Sequence, residues 1–496
     1  MFITNEKQVK YFFYFFYNGG RLSSATVVKF RMKIMKQRIC LTNLLILTSI
    51  TLANTNEVVI AGNEKKETLE ESVNNQRSEY NNNVDELPEN TFPVSEKIKT
   101  IPLPPVGQRW IVNDMFTDDF NSGELDKSKW INPHPTWKGR APGLFEKERV
   151  SFKDGCMVLE GIKMKSPKII NGTEFNVSCA AVVSKEEKAH YGYYECRFKA
   201  NKTTLSSTFW LSNRGEKFPT KGNQPEGSAP GMYKQELDIC ECIGRTGDFN
   251  GNFFYKGMNS NVHYWFTPEG ENVQKDIRAK ETRLYREDGG VPSDDFNVYG
   301  CWWKDKSSAT FYLNNTQSGS VEFYNRNTNE PFYFTEPMGV NMVVETYPYP
   351  WIDLPDDEEL ADETKNKTYY DWVRAYKLID INKEAEESHN KVFGNKINIT
   401  NKVSRIFTNK ENKYSTELIY TADYDCNAVL VIYDKDKKEI CRDSKRLFAG
   451  YAGFNFEYSI QYEKDKLYYI VAYLLPKNET DINKAYQTDS YVLKTL

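Results

Sequence analysis

The sequence is poor in histidine, in paired cysteine motifs and in net charge, and each shortage excludes a class of function. Only four of the 496 residues are His, and the nine Cys form no repeated CxxC pairs, which argues against a zinc site. Lys and Arg number 65 against 69 Asp and Glu, so the net charge of -4 offers no basic surface for nucleic acid. If the protein is an enzyme, we expect its catalysis to rest on carboxylates.

Hydrophobic runs long enough to cross a membrane are also missing. The apolar stretch within residues 40–53 is shorter than the ~20 residues that span a bilayer, and it follows the basic residues Lys36 and Arg38. A basic start, a short apolar centre and small residues at the end predict a secretory signal peptide at residues 35–53. We therefore expect a secreted protein without a membrane span, whose translation starts at Met32 or Met35 and whose fold excludes residues 1–34.

Aromatic residues, in contrast, make up 14% of the chain, and they suit β-strands and surfaces that stack on ligands. They are scarce in residues 54–100, which predicts a disordered linker. Short alternating runs separated by Gly, Pro, Asn and Asp predict a large β-sandwich over residues 101–380. A polar linker at 381–399 and strand-like runs within 400–496 predict a smaller C-terminal β-sandwich. The expected fold class is all-β, with the cysteines of its strands as buried free thiols rather than disulfides.

Three acids stand close together in the run QELDICECIG, residues 235–244. In an extended strand, Glu236 and Asp238 share one face while the residues between and beside them point into the core. Glu241 breaks this alternation, and a regular strand would bury its charge among apolar residues. One inserted residue, a β-bulge near Cys240, returns all three acids to a single face.

Acids on a shared face repel one another, which raises the pKa of at least one and separates their protonation states. Retaining glycoside hydrolysis uses such a pair, an ionised nucleophile and a protonated acid about 5–5.5 Å apart. The long side chains of Glu236 and Glu241 could reach that separation, with Asp238 between them to orient the nucleophile. A solvated strand face that carries three acids explains the same pattern equally well.

The motif Glu-x-Asp-x-x-Glu and its flanks resemble glycoside hydrolase family 16, over roughly residues 105–380. The flanking segments that carry the resemblance are DDFN (118–121), LSSTFWL (205–211), YGCWW (299–303), FYL (311–313) and YYDWVRAY (369–376). The resemblance implies a β-jelly-roll catalytic domain and a double-displacement mechanism. Through the motif, it implies Glu236 as nucleophile, Asp238 as assisting acid and Glu241 as general acid/base.

Within that family, the segments GYYECR (192–197), LSS (205–207) and ETYPYPW (345–351) resemble the agar-type branch of β-agarases and β-porphyranases. This branch implies an endo-acting enzyme that cleaves β-1,4-galactosidic linkages in red-algal galactans, porphyran first and agarose second. κ-Carrageenan or another β-glycan remains an alternative substrate, and a non-catalytic galactan-binding module an alternative function. The galactan is the expected partner of a monomeric protein.

A sulfated galactan calls for aromatic rings that stack on sugars and for guanidinium groups that bind sulfate esters. The candidate substrate-binding residues are Trp137, Arg140, Trp210, Arg214, His263, Glu345 and Trp351. Each has a structural alternative: the loop tryptophans can pack their own Pro-rich loops, Arg140 can pair with Glu146 or Glu148, and the remaining polar side chains can make structural hydrogen bonds.

No cofactor is implied by the resemblance, although a structural calcium ion is a candidate. Asp118, Asp119 and Asp371 resemble positions near the calcium site of many relatives. Paired acids beside strand ends are also common without a metal, so calcium stays optional in the prediction.

Overall fold

Strands dominate the computed structural model, which describes residues 87–215 and 231–496. The predicted all-β class is confirmed, as is the jelly-roll sandwich with a smaller C-terminal sandwich. The predicted signal peptide at 35–53 and most of the predicted linker lie outside the described residues. Within the described part of the chain, no helix is long and apolar enough to cross a membrane.

The elements of the first sandwich alternate with short turns. Its strands are β1 (Gln108–Val112), β2 (Trp130–Ile131), β3 (Gly143–Phe145), β4 (Val150–Lys153), β5 (Cys156–Glu160), β6 (Ile162–Ile170), β7 (Thr173–Ser184), β8 (Gly192–Lys199), β9 (Ser206–Ser212), β10 (Gly231–Ile243), β11 (Met258–Pro268), β12 (Lys275–Arg278), β13 (Thr282–Leu284), β14 (Asn297–Asp305), β15 (Ser308–Leu313), β16 (Gln317–Glu322), β17 (Gly339–Val344) and β18 (Lys367–Asp380). A short helix, α1 (Asp357–Ala361), begins at Asp356, whose side chain accepts a hydrogen bond from the Glu359 backbone N–H.

The second sandwich is built only of strands and one 3-10 turn at Ile482–Lys484. Its strands are β19 (Lys396–Ile399), β20 (Arg405–Ile406), β21 (Lys413–Ala422), β22 (Cys426–Asp434), β23 (Glu439–Leu447), β24 (Gly450–Ser459), β25 (Leu467–Pro476) and β26 (Gln487–Thr495). Further 3-10 turns lie in the first sandwich, at Asp114–Phe116, Lys147–Arg149 and Asn252–Lys256.

Two sheets pack face to face in the first sandwich. The sheet that carries the candidate acids, called the site sheet below, has the order β12-β11-β10-β9-β17-β7-β2, with β13, β3 and β6 joined at its sides. The opposing sheet runs β16-β15-β14-β8-β18-β1, with β5 and β4 attached to β18. Apolar side chains of both sheets, such as Leu237 and Phe311, fill the space between them. The eight cysteines in the described residues are all free, and seven of them are buried, while Cys441 is partly exposed.

The opposing sheet does not stop at the end of the first sandwich. Strand β1 pairs with β18 on one side and with β24 on the other, so the sheet continues through β21 and β19 into the second sandwich. The end of the predicted linker also packs against the second sandwich, where Phe92 stacks on Tyr433 at 5.0 Å and Ile98 N–H donates to Asn398 Oδ1. The boundaries predicted at residues 100, 380 and 399 stay predictions.

Arg109 of β1 joins the two sandwiches through its buried guanidinium. Only 1% of the residue is exposed, and its nitrogens donate to the carbonyl oxygens of Ile381, Lys383 and Ala449. The guanidinium also lies over the Phe448 ring at 5.3 Å. Three backbone acceptors from both sides of the junction thus depend on one side chain.

Replacing Arg109 by Met should lower the free energy of unfolding by about 2–4 kcal/mol, because it leaves three part-buried carbonyl groups without their donor and replaces a buried side chain. Urea unfolding followed by tryptophan fluorescence measures this loss. Arg326→Met, which removes an exposed arginine of the first sandwich, is the matched control and should change stability little. Equal stability of the two variants would contradict a bridging role for Arg109.

Candidate active site

The predicted β-bulge is present in β10 and aims the three acids. Along the pairing with β9, Asp238 lies opposite Trp210 and Cys240 lies opposite the next partner residue, so β10 has one residue more than its neighbour. The two residues at the bulge, Ile239 and Cys240, are both buried in the core. The side chain of Glu241 therefore returns to the outer face of the site sheet, beside Glu236 and Asp238.

Glu236 lies between two basic side chains. Lys234, two residues earlier on the same face, places Nζ 3.5 Å from Glu236 Oε2. His263 of β11 is its direct cross-strand partner on the other side. The Glu236 side chain remains 17% exposed, so it is reachable from the face of the sheet.

His263 is held between two carboxylates. Its Nε2 lies 3.4 Å from Asp238 Oδ2, and its Nδ1 lies 2.8 Å from Asp276 Oδ1. The ring is stacked on Trp265 at 5.1 Å, and Arg278 holds the second oxygen of Asp276. Burial lowers the pKa of His263, but the hydrogen bonds to Asp238 and Asp276 outweigh it and raise that pKa to about 10. His263 is therefore an imidazolium at neutral pH.

Burial raises the pKa values of the other two acids of β10, and it raises them to different levels. Burial, followed by repulsion from Glu236, raises the pKa of Asp238 to about 6, and His263 opposes the rise. Burial and the charge of Asp238 raise the pKa of Glu241 to about 8. The Tyr347 hydroxyl donates to Glu241 Oε1 at 2.6 Å and limits that shift. Glu241 is thus mostly protonated at neutral pH and can donate a proton.

The loop that carries Trp137 and Arg140 reaches the same face. Arg140 Nε donates to Glu345 Oε2 at 3.1 Å, and its guanidinium lies near the rings of Trp137 and Tyr347 at 5.9 and 5.7 Å. The loop turns at Gly139, where φ is +110° and a Cβ atom would lie 2.5 Å from a backbone oxygen. Arg140 is therefore fixed beside Tyr347, the residue that contacts Glu241.

Neither acid suggested as a surface partner of Arg140 is paired with it. Glu146 instead bonds Lys168 and Ser178, and Glu148 lies 3.8 Å from Lys147. The partner that Arg140 does have, Glu345, follows β17 and is buried, which raises its pKa, while the charge of Arg140 opposes the rise.

The three candidate tryptophans differ in what they can offer a ligand. Trp210 is largely buried, contacts Trp137 edge to face at 6.4 Å and donates from Nε1 to Thr208 Oγ1. Trp351 is 48% exposed and touches Tyr347 and Phe254 only by edge contacts at 5.4 Å. The face of Trp351 is therefore the better surface for stacking.

The Arg214 side chain is bound to residues of its own neighbourhood in the fold. Arg214 Nη1 donates to the Lys185 carbonyl oxygen, and its Nε lies 3.5 Å from Glu187, so its guanidinium is directed at the turn after β7.

The residues expected near calcium do not fit a calcium site. Asp118 accepts from Trp130 Nε1 at 2.9 Å, Asp371 pairs with Arg197, and Asp119 lies 3.9 Å from the Arg374 guanidinium. In residues 87–215 and 231–496, these three acids do not form a cluster with the spacing of metal ligands. Asp118 and Asp371 serve as acceptors for tryptophan and arginine instead.

Three residues of the site were not predicted from the sequence: Lys234, Asp276 and Tyr347. Lys234 had a signal, since it shares the strand parity of Glu236. Tyr347 lies in the segment 345–351, but nothing local indicates its contact with Glu241 across more than a hundred residues. Asp276 had no local signal, because only the pairing of β11 with β12 brings it to His263.

Comparison with known proteins places this geometry in a family. Residues 110–378 match the family model described as "Beta-porphyranase A-D, GH16 domain". Beta-porphyranase D of Zobellia galactanivorans is 40% identical over 372 residues, which cover 73% of this chain and 83% of that protein. Beta-porphyranase B of Phocaeicola plebeius is 38% identical, over 58% of this chain and 90% of that protein. The crystal structure of beta-porphyranase BpGH16B from Bacteroides plebeius superposes with a TM-score of 0.50 at 36% identity, over 56% and 96% of the two chains.

Replacing Asp276 by Asn should lower the pKa of His263 by about 1–2 units, because the variant removes one of two flanking carboxylates. Histidine-selective ¹⁵N labelling with NMR titration measures it, and a chain with four His gives few signals to assign. His263→Gln identifies the signal, and Asp288→Asn, an exposed acid, is the control. An unchanged titration of His263 in Asp276→Asn would contradict the assigned charge network.

Proposed function

The chain belongs to glycoside hydrolase family 16, and we propose that it acts as a secreted β-porphyranase, an endo-acting enzyme that hydrolyses β-1,4-galactosidic bonds with retained configuration. The observation that carries the proposal is the β-bulge that places Glu236, Asp238 and Glu241 on one face of β10. Glu241 is held protonated by burial, while Glu236 lies between the positive Lys234 and His263. Members of this family need no cofactor for such hydrolysis.

Double displacement assigns a role to each acid. Glu241 donates its proton to the departing glycosidic oxygen while Glu236 attacks the anomeric carbon, which forms a glycosyl ester on Glu236. Glu241, now ionised, takes a proton from water, and the water oxygen displaces Glu236 from the sugar. Asp238, bonded to His263, orients Glu236 and keeps a charge balance beside it. The first step needs protonated Glu241, so activity should fall as the pH rises through about 8.

The Arg140 loop supports porphyran over agarose as the substrate. Porphyran carries sulfate esters, which a guanidinium binds through paired N–H groups. Glu345 engages Arg140 through Nε, and the Arg140 side chain remains 41% exposed, so its Nη groups can be presented to a sulfate. Trp137 and Trp351 on either side of Tyr347 supply rings for the sugar units.

Export through the signal peptide predicted at residues 35–53 and a monomeric state complete the proposal. The intact galactan is too large to enter a cell. An enzyme that cleaves bonds within the polymer chain therefore has to act outside the cell. The domain limits predicted from sequence, 101–380 for catalysis and 400–496 for the second sandwich, belong to the same proposal.

Reducing-end release from porphyran, agarose, κ-carrageenan and laminarin tests the function. Porphyran should be cleaved fastest, and Glu236→Gln and Glu241→Gln should each lower kcat on it at least ~10²-fold, because each removes a reacting group. Glu174→Gln, an exposed acid of β7, is the control. Release from none of the four polymers would support a binding module, and near-normal activity of either variant would refute the assigned roles.

Arg140→Ala should lower kcat/KM on porphyran by about 10–100-fold and leave agarose nearly unchanged, since only the sulfated polymer uses the guanidinium. Arg140→Lys should recover part of the loss, because Lys keeps the charge without the fork. Glu345→Gln, which removes the charge of the buried partner of Arg140 and keeps Arg140 itself, is the matched control. A parallel loss on both polymers would mean that Arg140 only holds the loop in place.

A further inference from the structure

A pocket of about 150 Å³ lies in the crease where the opposing sheet passes from the first sandwich to the second. Strands β8, β14 and β18 form one wall, and β19, β21 and the segment around Ile98 form the other. The residues used below, called the crease-pocket residues, are Lys99, Glu195, Trp372, Arg374, Lys396 and Thr421. Their neighbours in β8 and β18, such as Tyr194 and Val373, point into the core of the first sandwich, so the pocket lies on the face turned away from the site sheet.

Two buried polar atoms in this pocket have no hydrogen-bond partner. They are Nε of Arg374 and Oγ1 of Thr421, and Thr421 is only 1% exposed. Leaving such a group unsatisfied costs about 1–3 kcal/mol, and native proteins satisfy nearly all of them. A donor on one wall and a hydroxyl on the other are therefore available to a ligand with oxygen acceptors.

The remaining polar groups of the pocket are held in place by contacts within the protein. The Arg374 guanidinium lies over the Trp372 ring, 4.1 Å from its centroid. Glu195, 3% exposed, is the cross-strand neighbour of Arg374 and accepts a hydrogen bond from the Tyr376 hydroxyl at 2.9 Å. Burial raises the pKa of Glu195 to about 7, and Arg374 opposes the rise. This acid therefore repels an anion less than an exposed carboxylate would.

Positive charge exceeds negative charge around the pocket. Lys99 and Lys396 are exposed at its mouth, and Lys396 is paired across the sheet with Thr421. Together with Arg374 they face the partly neutral Glu195, while Asp119 lies 3.9 Å from Arg374. The pocket therefore suits an anionic group that also carries hydroxyls.

We propose that the crease pocket is a second, non-catalytic binding site for a sulfated sugar unit of the galactan. Cavities of about 150 Å³ hold rings the size of benzene, so the pocket can take part of a sulfated sugar unit. The sulfate would be held by Arg374, Lys99 and Lys396, and the hydroxyls by Glu195 and Thr421. The proposal rests on the proposed function for the identity of the polymer, and it gives the second sandwich a part in holding that polymer.

The site is tested by measuring the binding of galactose 6-sulfate to the full chain. This chain also carries Glu236→Gln and Arg140→Ala, so that binding at the candidate active site is suppressed. Calorimetry on this background should show binding that Lys396→Glu weakens at least tenfold. Lys438→Glu, the same charge change on the turn between β22 and β23, should leave it unchanged. Arg374→Gln is the second variant, and Lys396→Glu keeps the test valid if that variant fails to fold.

The controls separate this site from simpler explanations. Inorganic sulfate that binds as tightly as the sugar would overturn the proposal in favour of a bare anion site. Equal binding by Lys396→Glu and Lys438→Glu would overturn it as well. In the otherwise native chain, Lys396→Glu should raise KM for polymeric porphyran and leave kcat on a short oligosaccharide unchanged. Calorimetry requires no turnover, so a failure of the porphyranase assignment would appear only in the activity assay.

Discussion

Repulsion among three carboxylates on one strand face is the constraint to which the surroundings of β10 respond. A bulge is needed to bring Glu241 to that face, and positive groups are needed to keep the neighbouring acids there. Lys234 and His263 supply the positive charge beside Glu236, and the Tyr347 hydroxyl donates a hydrogen bond to Glu241 at the other end of the trio. Burial, with the repulsion from Asp238 added to it, raises the pKa of Glu241 to about 8 and so keeps available the proton that hydrolysis requires.

That charge balance is assembled from distant parts of the chain. His263 is kept positive by Asp276, which is itself held by Arg278 of the edge strand β12. At the other end, the Arg140 guanidinium is placed beside Tyr347 by the buried Glu345. His263 and Arg140 therefore each depend on a partner from another part of the chain, and the edge strand of the site sheet matters to the charge balance although it carries none of the three acids.

Local patterns in the sequence were sufficient to predict the bulged strand that carries the acids. They were not sufficient to predict the residues that contact those acids. Strand parity alone required a bulge near Cys240, because side-chain alternation is a property of neighbouring residues. The bonds from Arg140 to Glu345 and from Tyr347 to Glu241 join segments 205 and 106 residues apart, so spacing contains no trace of them. A calcium site at Asp118 and Asp371 is not shown, and their contacts with Trp130 and Arg197, which cross the fold, leave no trace in the sequence either.

The continuous sheet changes how the second sandwich should be regarded. Removing it would leave β1 with an unpaired edge, since β24 is its neighbour on that side. It would also uncover Trp110, Tyr193 and Tyr376, which pack with Tyr451 and the segment around Ile98 in one apolar cluster. Burying this cluster stabilises the face opposite the site sheet, and Arg109 adds hydrogen bonds across the same junction. The two sandwiches therefore stabilise each other through β1, and the strands that support the catalytic face depend on a domain that provides none of the three acids.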